Sequence, residues 1–89
     1  MPRAILDIVN RKGLHARASA KFVETVEAHD ATAHVTREGQ TVGGDSIMGL
    51  LMLAAHQGTT IEVATEGAEA DALMTALRDL LASRFGEDA

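Results

Sequence analysis

Between Ala70 and Leu81, the residues Ala70, Leu73, Met74, Leu77, Leu80 and Leu81 recur at the spacing of one helix face. A helix with so continuous a stripe must lay it on another apolar surface, and this requirement constrains the fold more than any other feature of the chain. In 89 residues there is room for one core, so residues 1–89 are read as a single domain. The surface that answers the stripe is written in alternation. Thr60 to Thr65 sets Ile61 and Val63 against Thr60 and Glu62, and Thr32 to Thr36 sets Ala33 and Val35 against Thr32, His34 and Thr36. Each reads as a strand with one covered face.

The remaining segments complete the pattern. Ala4 to Val9 is a short apolar run broken by Asp7 and bounded by Asn10 and Gly13, which predicts a first strand. From Ala16 to about Ala28, Ser19, Phe22, Val23 and Val26 share one helical face, with Arg17, Lys21 and Glu24 opposite. Glu38-Gly39 is a turn signal, so residues 32–43 form a hairpin. Gly43-Gly44-Asp45-Ser46 then breaks the chain and offers Ser46 as N-cap to a helix from Ile47 to about Ala54. The order is βαββαβα, which predicts an α+β fold, a two-layer open-faced sandwich of a four-stranded sheet with three helices on one face. Phe22 and Phe85 are the only aromatics, so the core must be built from aliphatic side chains and methionine.

Composition narrows the function. With no cysteine, disulfides and thiolate metal sites are impossible. The N-terminal MPRAILDIVN lacks a long apolar stretch, and no run approaches the roughly 18 apolar residues of a membrane span, so the expected location is cytoplasmic, without membrane attachment. A net charge of −5 and the scarcity of stacking aromatics argue against nucleic acid. His29, His34 and His56 lack metal-ligand spacing, so neither a metal nor a cofactor is expected.

Chemistry concentrates in Asn10 to Ala20, NRKGLHARASA. A strand exit and a glycine turn at Gly13 put His15 at the start of a helix, where unpaired N–H groups and the positive end of the dipole favour an anion. That field opposes a cationic ring and suits a histidine nucleophile. Arg17 presents a forked, permanently charged group to oxygens arriving on the ring, and the backbone N–H groups of Ala16 and Arg17 are candidate hydrogen-bond donors to the same oxygens. A histidine after a turn is also, by spacing alone, an ordinary solvated residue or cap. The helix after Ser46 has no polar side: Ile47, Met48, Leu50, Leu51, Met52 and Leu53 cannot all be buried against one sheet. Some should remain exposed as a partner surface.

The run Gly13-Leu14-His15-Ala16-Arg17 resembles the phosphorylation-site motif G-L-H-A-R-P-A of the HPr phosphocarriers of the bacterial phosphotransferase system. Length, element order and the segment around Ser46 extend the resemblance over nearly the whole chain. Ala18 and Ser19 depart from the family's Pro-Ala, which removes a preorganising proline from the first helical turn while leaving a good helix former there. The resemblance implies an antiparallel sheet in the order 1-4-2-3 and a carrier, not an enzyme. It further implies that Nδ1 of His15 takes phosphate from an enzyme I charged by phosphoenolpyruvate and yields it to IIA-type proteins, with Arg17 neutralising the phosphate. It implies Ile47, Met48 and Leu51 as the docking subset, with Arg17 and Lys21 steering acidic partners, and a monomer as the working form. Ser46 is the position at which many such proteins are phosphorylated by an HPr kinase/phosphorylase; otherwise it is only an N-cap. The LLML run and Ser83 to Asp88 resemble the nitrogen-related branch, as against sugar transport. The competing reading is a small ferredoxin-like regulatory or interaction module without phosphoryl chemistry. A phosphate hydrolase is disfavoured, since no carboxylate or second catalytic group accompanies the GLHAR turn in sequence.

Overall fold

The computed structural model describes residues 1–89, and in it the elements follow the expected order. Strand β1 (Arg3–Asp7) leads to helix α1 (Ala16–Glu27), the hairpin β2 (Thr32–Arg37) and β3 (Gln40–Gly43), the short helix α2 (Ile47–Met52), strand β4 (Thr60–Glu66) and helix α3 (Ala70–Ala82). A single tight turn with left-handed backbone, η1 (Arg84–Gly86), follows. The sheet is open and wholly antiparallel in the order β1-β4-β2-β3. Register sets His34 opposite Ala64 and Val35 opposite Val63 across β2 and β4, and Leu6 opposite Ile61 across β1 and β4.

Alternation decides which face is covered. Ala33 and Val35 on β2 and Ile61, Val63 and Thr65 on β4 are buried, while Thr32, His34 and Thr60 face solvent. Onto that surface α1 lays Phe22, Val23 and Val26, and α3 lays Leu73, Met74, Leu77 and Leu81. Both aromatics are fully buried in the same cluster. Thr65 and Ser19 are buried without loss, because each hydroxyl donates to a carbonyl, Thr65 to Ala70 at 2.8 Å and Ser19 to Leu14 at 3.2 Å.

Two boundaries differ from the sequence reading. The first strand ends at Asp7 instead of Val9, because Ile8 turns inward to become a buried core residue, its N–H donating to Thr59 at 2.9 Å. The helix after Ser46 ends at Met52 instead of near Ala54, because Ala54 adopts a left-handed φ of 52°, which stops α-helical bonding. Leu50 and Leu53 then reach the core, and α2 packs on α1.

Candidate functional site

The site is made by a turn that only glycine permits. Gly13 has φ 64°, and a Cβ there would lie 2.4 Å from the carbonyl oxygen of Ala55 and 2.8 Å from the Cα of His56. The turn is thereby pressed against the segment that follows α2 and is fastened to it by the Leu14 N–H donating to Ala55 at 2.9 Å. Asn10 closes it from the other side: its side-chain amide donates to Gly13 O at 2.8 Å, and Gly13 N–H donates to Asn10 O at 3.2 Å.

His15 follows in extended backbone (φ −74°, ψ −179°) as the N-cap of α1. Its Nδ1 accepts a long bond of 3.3 Å from the Arg17 N–H, and the first helical bond, from Ser19 N–H to His15 O at 2.8 Å, lies beyond the N–H groups of Ala16, Arg17 and Ala18. Those of Ala16 and Ala18 are free and that of Arg17 makes only the long bond to Nδ1, so together they are the donors that a helix start offers to an anion. Ala16 and Arg17 are exposed, Ala18 is buried, and the Arg17 guanidinium is engaged in no ion pair or hydrogen bond. The imidazole retains 26% exposure, so it is lodged at the surface and not in the core.

The sequence reading placed Glu87 only within the run from Ser83 to Asp88 and gave it no role. In the structure its Oε2 meets Nε2 of His15, and its Oε1 accepts from the Asn10 amide at 3.0 Å. The hydrogen bond with His15 holds the Glu87 carboxyl below its ordinary value of 4.5; the Asn10 bond and the charges of His15 and Lys12 act the same way, against the opposing effect of burial. Asn10 and Glu87 are therefore site residues that sequence reasoning missed. Asn10 read as a strand terminator, and no local pattern ties Glu87 to a histidine 72 residues earlier.

Charge is concentrated here. Arg11, Lys12, Arg17 and Lys21 are half of the eight basic residues in a chain of net charge −5. Arg11, Lys12 and Arg17 line a cleft whose other wall is Glu87, Asp88 and Ala89. Lys21 stands apart from them, half-buried, with its ammonium donating to the Phe85 carbonyl at 2.5 Å. Its charge is thus already committed within the molecule.

On α2, Ser46 is the N-cap, its Oγ accepting from the Gly49 N–H at 3.0 Å. Ile47 and Met48 are 40% and 68% exposed and Leu51 is half-buried. Met52, not singled out from the sequence, is 64% exposed and extends the same apolar surface. The chemistry available at the site is that of a shallow imidazole flanked by helix-start amides and an unpaired, exposed guanidinium, with no enclosed substrate pocket around it.

Comparison with known proteins shows the family. A family model described as the PTS HPr component phosphorylation site matches residues 3–83. The phosphocarrier protein HPr of Neisseria meningitidis serogroup A is 47% identical over 87 residues, covering 98% of each chain, and that of Pseudomonas aeruginosa is 42% identical over 88 residues, again covering 98% of each. A crystal structure of HPr from Thermoanaerobacter tengcongensis superposes with a TM-score of 0.95 at 35% identity, with full coverage of both chains. A crystal structure described as an HPr dimer from the same organism superposes with a TM-score of 0.77 at 36% identity, covering 98% of this chain and 100% of that one.

Proposed function

This chain belongs to the HPr family and is a phosphocarrier of the phosphotransferase system, not a catalytic enzyme; from that premise we propose that His15 is the residue that carries the phosphoryl group. The observation that carries the assignment is the position of its ring: at the surface, on the N-cap of α1, with Nδ1 facing the amide of Arg17. Nε2 is engaged by Glu87, so Nδ1 is the nitrogen with a lone pair to give.

The family works with enzyme I and IIA-type proteins in general. In our reading phosphate arrives from an enzyme I charged by phosphoenolpyruvate. Nδ1 forms a bond to phosphorus as the bond to the donor breaks, and the Arg17 guanidinium with the N–H groups of Ala16 and Arg17 stabilises the transferred oxygens. Discharge to a IIA-type acceptor reverses these steps. A shallow site suits a group that must enter and leave through two different partners. Exposed Ile47 and Met48, with Leu51 behind them, supply the apolar part of the docking face, and Arg11, Lys12 and Arg17 supply its charge. Lys21, a candidate for steering, serves it indirectly through the Phe85 turn. We further propose a cytoplasmic monomer as the transferring species; no helix is long and apolar enough to cross a membrane.

Ser46 is a second modification site in this reading. A phosphate there keeps acceptor oxygens for the Gly49 N–H while adding negative charge, next to exposed Asp45, on the docking face. An HPr kinase/phosphorylase would then weaken partner binding without unfolding α2. The LLML run and the residues from Ser83 to Asp88 support service in the nitrogen-related branch; the IIA domain that discharges the phosphorylated protein fastest identifies the branch.

The decisive experiment mixes the protein with phosphoenolpyruvate and an enzyme I. An acid-labile, base-stable mass increment is expected, and it must vanish in His15→Ala. An increment that survives in that variant would overturn the assignment.

A further inference from the structure

The geometry points to Glu87 as the positioning residue for His15: its carboxylate holds the Nε2–H edge of the ring and so presents Nδ1, unprotonated and met only by the long Arg17 N–H bond, to incoming phosphorus. This rests on the reading of His15 as the carrier residue. The argument begins with the tautomer. Nδ1 accepts from the Arg17 N–H and therefore carries no proton, while an ionised carboxylate only accepts, so the ring proton belongs on Nε2. Each contact specifies the same tautomer from a different side.

The carboxylate is delivered to the ring by a built device. After α3 the chain passes through three consecutive left-handed residues, Arg84 (φ 57°), Phe85 (φ 55°) and Gly86 (φ 77°). Two of them carry side chains, and such conformations persist only where the surroundings over-determine them. Here the Phe85 ring is buried in the core, the Lys21 ammonium grips the Phe85 carbonyl at 2.5 Å, and Glu87 N–H donates to Arg84 O at 2.9 Å. Asn10, itself fully buried, then takes Oε1 at 3.0 Å and leaves Oε2 for the imidazole. Its orientation is unambiguous, because a flipped amide would set its oxygen against both the Gly13 carbonyl and the carboxylate. The same turn that aims His15 thus anchors its partner.

The transfer step balances with no proton leaving the ring. The Nδ1 lone pair becomes the bond to phosphorus, the pair of the broken bond stays on the donor, and the Nε2 proton remains in place. Positive charge develops on the imidazole, and the Glu87 carboxylate lies against it, as the carboxylate does in a serine-hydrolase triad. A residue that both fixes the tautomer and meets this charge should act on the rate of charging.

The test uses the full chain with Glu87→Ala, Glu87→Gln and Glu87→Asp. In nitrogen-labelled imidazole NMR of the unphosphorylated protein, the wild type should hold the Nε2–H tautomer and Glu87→Ala should relax to a mixture. Charging by phosphorylated enzyme I should slow by about 10-fold or more in Glu87→Ala, with Glu87→Asp recovering more of the rate than Glu87→Gln, a scale set by outer partners of functional histidines. Wild-type charging in Glu87→Ala overturns the inference. So does a slowed variant whose tautomer is unchanged, or an aspartate no better than alanine, since either result marks general loosening of the turn. The tautomer measurement needs no phosphate, so it judges Glu87 even if His15 proves not to be the carrier.

Discussion

Asn10 and Glu87 lie 77 residues apart in sequence and are joined by a 3.0 Å hydrogen bond beside His15. Asn10 also donates to Gly13 O at 2.8 Å, so one buried amide ties the start of the site to its far wall. The side-chain oxygen of Asn10, Oδ1, makes no hydrogen bond, which leaves the donor side as the functional half of the amide.

Asn10→Ala should therefore destabilise the protein by about 1–3 kcal/mol, the range for stranding buried hydrogen-bond partners. Asn10→Asp should be worse at neutral pH, because it replaces a donor with a negative acceptor facing the Gly13 carbonyl and the Glu87 carboxylate. Its deficit should shrink as the pH falls and the carboxylates protonate. Urea denaturation of both variants at two pH values checks the order; an aspartate more stable than alanine at pH 7 would contradict this arrangement.

Gly13→Ala combines a left-handed backbone with a collision against backbone atoms of Ala55 and His56, which cannot swing aside as a side-chain end would. The strain alone should cost about 1–3 kcal/mol. Thermal unfolding measures that loss, and the Leu14 and His15 amides should exchange faster with solvent, since the turn that holds them must shift.

Acid stability should carry a signature of Glu87. Its carboxyl is held below 4.5 in the folded state, chiefly by the hydrogen bond with His15, so this group's contribution is complete above 4.5 and disappears as the pH falls through the lowered folded value. The unfolded chain binds the proton first on acidification, which is why stability must fall. Unfolding free energies of wild type and Glu87→Gln, measured from pH 6 down to pH 2, should converge over the acid part of that range. Parallel curves would remove Glu87 as the source.

Lys21→Met keeps the aliphatic stem but removes the ammonium from the Phe85 carbonyl. The expected stability loss is about 0.5–1.5 kcal/mol, that of one net hydrogen bond. More informative is hydrogen exchange: protection at Gly86 and Glu87 should drop while α1 stays protected. Uniform loss in both segments would mean that Lys21 supports the fold generally and not the turn.

Much of this molecule was already legible in the linear chain. The stripe from Ala70 to Leu81 and the alternation at Ala33, Val35, Ile61 and Val63 depend on local periodicity, and each buries the face it advertises. Gly13, His15 and Arg17 are neighbours in sequence, so the turn and the helix start that aim the imidazole are short-range events. The antiparallel order 1-4-2-3 came from resemblance to a family, because alternation says which face a strand covers and not which strand it pairs with. Glu87 belongs wholly to the tertiary structure. Nothing within a few residues of it distinguishes a solvated acidic tail from a ring partner; the difference arises only when Phe85 sinks into the core, Lys21 caps its carbonyl and Asn10 waits at the far side of the turn. Local sequence chose the histidine and its helix, and long-range packing chose what stands behind the ring, because a contact across 72 residues exists only once the core has brought its two ends together.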